Sequence, residues 1–150
     1  MTIYNVRRFG LKTNRYNRNG MWFEIGHKKY SIYQEAYSDY ENDRKKIHWA
    51  IIDPENLFVL KLNDFYDETT YPYVLYLKLT KLKMPTEKEV DKFMEKSGGF
   101  DNKKSADIEK KDAILLRKEG YDGAYFQLIK KMPGSDDQIF YLGKKIRWVK

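Results

Sequence analysis

The stretch Leu115-Leu116-Arg117-Lys118-Glu119-Gly120-Tyr121-Asp122-Gly123-Ala124-Tyr125-Phe126 joins the end of a helix to the start of a strand, and it decides the fold. Ile108, Ile114, Leu115 and Leu116 give an apolar face to a helix expected over 105–119. Gly120 follows as its C-terminal cap, because glycine enters the left-handed region without a Cβ clash. Tyr121-Asp122-Gly123 then turns the chain into a strand expected over 124–129. Beyond it, Pro133-Gly134-Ser135-Asp136-Asp137 reads as a loop and Gln138 to Leu142 as a strand. Gly143-Lys144 is a tight turn, and Lys145 to Val149 alternates as a closing strand.

Working back, Pro85-Thr86-Glu87 opens another helix. Thr86 is its N-cap, Glu87 and Glu89 suit its positive end, and Val90, Phe93 and Met94 form its apolar stripe. Gly98-Gly99 ends it. Pro72 to Thr80 (PYVLYLKLT) alternates in period two, which predicts a strand with Tyr73, Leu75, Leu77 and Leu79 on its buried face. Asn63 to Thr70 is an acidic loop, while Leu57 to Leu62 and His48 to Asp53 are strands. Tyr30, Tyr33, Ala36, Tyr37 and Tyr40 are spaced by three and four, so a helix is expected within Lys28 to Asn42. Its tyrosine stripe either packs on the sheet or faces a ligand. Met21 to Ile25 is a short aromatic strand after the Lys12 to Gly20 loop, and Thr2 to Arg8 is the first strand. About eight strands cluster at the two ends of the chain, mostly without helical crossovers, beside about three helices. That pattern predicts one α+β domain over 1–150, with a mixed, largely antiparallel sheet.

The composition excludes several chemistries. Cysteine is absent, which removes disulfides, thiolate nucleophiles and thiolate zinc sites. Two histidines, His27 and His48, are too few for a His-rich metal site, so no metal is expected. No GxxxxGK[ST], GxGxxG or GxSxG occurs. The first residues lack the apolar core of a signal peptide, and no run approaches the ~20 apolar residues of a membrane span. A cytoplasmic protein with no membrane partner is expected. The net charge of +7 points to an acidic partner, either nucleic acid, a nucleotide or an acidic protein. Aromatic strands interleaved with Lys and Arg suit base stacking, although no RNP-like motif is present.

A helix ending in EGYDG, then a strand, a loop and DQIFYLGKKIRWVK, resembles the end of the ADP-ribosyltransferase-like fold, in the form of its small phage and mobile-element members. Gly20-Met21-Trp22-Phe23 resembles the strand that opens the nicotinamide pocket there, and Ile3-Tyr4-Asn5 resembles the first strand. The resemblance implies a mono-ADP-ribosyltransferase that uses NAD as substrate, without a metal, and modifies a macromolecular target, an acidic protein or nucleic acid, in a host cytoplasm. Trp22 with Phe23 and a helix tyrosine, Tyr30 or Tyr33, would then enclose the nicotinamide. Asn5 and Arg7 would hold the ribose and phosphates, and Gln138 or Asp137 would act on the ribose. The chain departs from the family pattern at Asn5, where many members have His, at Trp22, where Tyr is usual, and at Gln138, where Glu is usual. An amide can bond the ribose hydroxyl but carries no charge. A decayed, non-catalytic interaction module and a basic nucleic-acid binder are the alternatives. On the enzymatic reading, Trp22→Ala is expected to abolish NAD binding with the fold intact.

Overall fold

Alternating apolar residues build seven strands in the computed structural model, which describes residues 3–9, 20–25, 47–63, 66, 68–98, 102–130 and 136–149. They are β1 (Tyr4–Phe9), β2 (Met21–Ile25), β3 (Ile47–Ile52), β4 (Leu57–Leu62), β5 (Gly123–Leu128), β6 (Gln138–Tyr141) and β7 (Ile146–Trp148). They form one sheet in the order β4-β5-β6-β2-β1-β3-β7. Every neighbouring pair is antiparallel except β4 and β5. Parallel neighbours need a crossover. Three helices supply it: α1 (Tyr71–Lys81), α2 (Glu87–Lys96) and α3 (Asn102–Lys118). The fold is therefore α+β, with a mixed, mainly antiparallel sheet. The helix expected within 28–42 and most of the loops expected over 12–20 and 133–137 lie outside the described residues.

The strand expected over 72–80 is instead α1. Its first half is buried almost all round: Tyr71, Tyr73, Val74 and Leu75 are each at most 2% exposed. A helix enclosed on all sides loses its polar stripe, and its sequence then resembles that of a strand. Pro72 sits in the first turn, where its missing N–H costs nothing. Leu82 closes the helix in the left-handed conformation (φ 58°), its N–H donating to the Lys78 carbonyl.

The other two helices follow the sequence closely. Thr86 and Glu89 form a capping box at the start of α2: the Thr86 hydroxyl accepts from the Glu89 N–H, and the Glu89 carboxylate accepts from the Thr86 N–H. Gly120 (φ +84°) ends α3. Its N–H donates to the Arg117 carbonyl and that of Tyr121 to the Leu116 carbonyl, a Schellman arrangement. Asp122 then pins the turn to the β3–β4 connection. Its carboxylate accepts from the backbone N–H groups of Glu55 (2.7 Å) and Asn56 (3.0 Å).

Gly123 has a different reason to be glycine. Paired with Tyr141 across β5 and β6, it lies so close to β6 that a Cβ there would collide with the Phe140 backbone oxygen. Backbone cannot rotate aside as a side chain can. Gly123→Ala is expected to cost about 1–3 kcal/mol of stability, to be read from the urea midpoint against the parent.

The sheet has two apolar faces. On one, Leu60, Leu62, Ala124, Phe126 and Phe140 pack with Val74 and Leu75 of α1 and with residues of the other two helices. Tyr71 stacks on Phe126 (centroids 4.8 Å apart, 3° between planes). The opposite face buries Val6, Phe23, Ala50, Ile52, Ile139 and Tyr141. The sheet coils around this second cluster. Tyr4 of β1 and Tyr125 of β5 approach to 5.7 Å, and Phe23 of β2 and Trp148 of β7 to 6.0 Å. In each case two strands intervene in the sheet order, and three steps across a flat sheet would span about 14 Å. No described helix is long and apolar enough to cross a membrane.

Candidate functional site

One register row crosses the middle of the sheet. Gln138 of β6 pairs with Glu24 of β2, Glu24 with Arg7 of β1, and Arg7 with Trp49 of β3. Directly opposed residues point to the same face, with Cβ atoms about 5 Å apart. An amide, a carboxylate, a guanidinium and an indole therefore stand side by side. Trp22, two residues before Glu24 on the same face, stacks on Phe140 at 4.8 Å and 27°. Its indole N–H donates to Glu109 Oε1 of α3 at 2.9 Å.

Two adjoining cavities open over this row. One, of about 170 Å³, is walled by Arg7, Arg8 and Glu24. The other, of about 250 Å³, reaches Pro72 of α1 and Ser105 and Glu109 of α3. Trp22, Glu68 and Gln138 line both.

Arg7 is fully buried. Its Nε donates to Glu24 Oε2 at 3.0 Å, its Nη2 lies 2.9 Å from the same oxygen, and Nη2 also donates to Asp136 Oδ2. Its Cζ sits 5.9 Å from the centre of the Trp49 ring, and Nη1 is buried with no hydrogen-bond partner among the described residues. Burial pushes the Glu24 carboxyl above its ordinary value, Arg7 pulls it back and Asp136 adds to the rise. Burial also lowers the Arg8 guanidinium, against the pull of Glu109; Arg8 Nη1 donates to the Trp22 carbonyl at 3.0 Å.

Two groups at the cavity make no hydrogen bond among the described residues. Both contacts between Arg7 and Glu24 use Oε2, so Glu24 Oε1 accepts no hydrogen bond within the described protein. The side-chain amide of Gln138 likewise makes none. The site therefore offers an amide and a carboxylate oxygen to a ligand, beside an aromatic wall.

Of the residues expected from sequence, Arg7, Trp22 and Gln138 meet at this cavity. Arg7 is held between carboxylates rather than presented to a phosphate. Phe23 borders the cavity, but its side chain is buried in the cluster on the other face. Asn5 is exposed, two residues along β1 from Arg7, and does not line the cavity. Asp137 is occupied elsewhere. Its carboxylate accepts from the Tyr125 hydroxyl (2.8 Å) and the Leu128 N–H (2.9 Å), tying β6 to β5. Burial and that bond raise the Tyr125 phenol. Tyr30 and Tyr33 lie outside the described residues. Sequence reasoning missed Glu24, Glu68 and Glu109. The signal for Glu24 was available: in a period-two strand it must share the face of Trp22.

Asp112, three residues beyond Glu109 on α3, is buried, and neither of its carboxylate oxygens is hydrogen-bonded among the described residues. Burial lifts its carboxyl well above the ordinary range, and Glu109 adds to the rise. A carboxyl with a raised folded-state value stabilises the fold at low pH and loses that contribution as pH climbs. The stability of Asp112→Asn relative to the parent is thus expected to grow by about 1.4 kcal/mol per pH unit above pH ~4, up to the raised value. Urea titrations of both proteins from pH 4 upward read this trend.

No protein-family model matches the chain, and no curated protein matches it. A crystal structure of an anti-CRISPR protein is similar over 98% of this chain and 96% of that one, at 12% identity and a TM-score of 0.37. At that score the likeness supports no functional argument. Among the described residues, no group of three or more His, Asp or Glu side chains is placed to hold a metal ion.

Proposed function

We propose that the chain is a small NAD-dependent ADP-ribosyltransferase, with the nicotinamide and its ribose taken into the cavity over the central register row. One observation carries this reading: Arg7, Trp22 and Gln138, which lie far apart in sequence, converge from the adjacent strands β1, β2 and β6 on one cavity. The reaction builds positive charge on the ribose as nicotinamide departs, and a site for it needs fixed dipoles and negative charge at that carbon. The amide of Gln138, which makes no hydrogen bond among the described residues, suits the ribose 2′-hydroxyl, and Trp22 supplies an aromatic wall for the nicotinamide. The net charge of +7 suits an acidic protein or nucleic acid as the target. The family resemblance suggests a phage or mobile-element origin, and a host cytoplasm as the place of action.

The amide at Gln138 favours a second reading, in which the site has lost catalysis and the basic, aromatic domain binds a host factor. Calorimetry with NAD, followed by assay of the same sample for released nicotinamide, separates the two. Binding with release is expected for the transferase. Absence of both at millimolar NAD would leave the interaction module.

A further inference from the structure

We infer that Glu24, one strand away from Gln138, is the catalytic carboxylate of this cavity. The inference rests on the NAD reading. Gln138 brings no charge, and Asp137 is committed to Tyr125 and Leu128. Glu24 is directly opposite Gln138 in the β2–β6 register and lines the same cavity. The arrangement around it is that of a prepared acceptor. Arg7 grips Oε2 through Nε and Nη2, Asp136 accepts from that same Nη2, and Oε1 accepts no hydrogen bond among the described residues. One oxygen fixes the group and the other acts. Preorganised charge of this kind stabilises a transition state without reorganising when the reaction occurs.

The chemistry balances with NAD and an acceptor nucleophile. The bond between ribose C1′ and the pyridinium nitrogen breaks, and its electron pair leaves with neutral nicotinamide. The ribose becomes an oxocarbenium cation, which the Glu24 carboxylate stabilises while the Gln138 amide holds the 2′-hydroxyl. The acceptor attacks C1′ and gives up its proton; in the absence of a target protein, water is the acceptor and free ADP-ribose the product. Arg7 and Asp136 are positioning residues in this scheme.

The decisive experiment compares nicotinamide release from NAD, at saturation, by the parent, Glu24→Gln and the exchange variant Glu24→Gln/Gln138→Glu. Glutamine keeps an acceptor for Arg7 but removes the charge. Release by Glu24→Gln is expected to fall by about 100-fold or more, with NAD affinity by calorimetry changed only a few-fold. The exchange variant, which moves the carboxylate one strand over, is expected to recover at least about tenfold of that loss. A purely structural role for Glu24 would not be rescued in this way. If Glu24→Gln loses its cooperative melt, Glu24→Asp is read instead: it keeps charge and pairing but withdraws the carboxylate by one methylene, and the same fall in release at unchanged affinity is expected. A parent that releases nicotinamide while the folded variant matches it overturns the Glu24 assignment alone. A parent that neither binds NAD nor releases nicotinamide overturns the functional reading, and the assignment falls with it.

Discussion

Methionine in place of Arg7 is expected to lower the unfolding free energy at neutral pH by about 3–5 kcal/mol, the cost of leaving a buried partner charge unpaired. Arg7 is fully buried between Glu24 and Asp136, with Trp49 beneath it. Methionine fills much of the same space, so the loss is electrostatic rather than a cavity. The deficit has a pH signature. Lowering the pH protonates Glu24, whose carboxyl already sits above the ordinary range because of burial, and this removes one of the two stranded charges. Urea midpoints at pH 7 and pH 5 should therefore converge toward the parent as the pH falls. Adding Glu24→Gln to the Arg7→Met chain should recover part of the loss at pH 7. A deficit independent of pH and of Glu24 would show that Arg7 acts through packing alone.

Trp22→Ala is the second large change, and the structure alters what is expected of it. The sequence suggested a residue that could be removed without touching the fold. Instead, its indole stacks on Phe140, leans on Phe126 at 5.2 Å and bonds Glu109 across to α3. Removing it is expected to cost about 3 kcal/mol, the low end for a tryptophan because the side chain is only half-buried. NAD affinity should fall at least about tenfold on the proposed reading. Trp22→Phe separates the two roles. It keeps the aromatic wall and gives up the bond to Glu109, at about 1 kcal/mol, so its NAD affinity should stay near that of the parent. Equal affinity in the folded Trp22→Ala protein would remove Trp22 from the site.

Much of the fold was legible because local chemistry agreed with global placement. The end of α3 at Gly120, the cap at Thr86 and the alternating strands at both ends of the chain were readable from turn residues and periodicity alone. The failure over 72–80 is instructive. Tyr73, Leu75, Leu77 and Leu79 follow a strand period, yet burial in α1 extends to Val74 between them, and enclosure on all sides erases the helical stripe. The parallel pairing of β4 and β5, which demands a crossover, is a non-local fact with no trace in residues 72–80 themselves. The same divide runs through the candidate site. Trp22, Arg7 and Gln138 were named from the family resemblance, and the structure brings them to one cavity. Glu24 followed from strand alternation but needed the β2–β6 register to give it weight. Glu109 and Glu68 come from elements that reach the cavity only through tertiary packing, and no spacing in the sequence announces them.

The parallel pair also sets a schedule during synthesis. β4, with the sequence LFVLKL, is made as a six-residue segment with a single charge at Lys61. Its one neighbour among the described strands, β5, is not complete until residue 128. At about 5–20 residues per second, 66 further residues take about 3–13 s. For those seconds an apolar, strand-forming window lacks its β5 partner, in a crowded setting that rewards any available edge. The helices made in the interval contribute Val74, Leu75 and Leu116, which later cover Leu60 and Leu62. Their early formation can shield β4 before its strand partner arrives, so changes that weaken α1 or α3 should lower soluble yield more than their equilibrium stability would suggest.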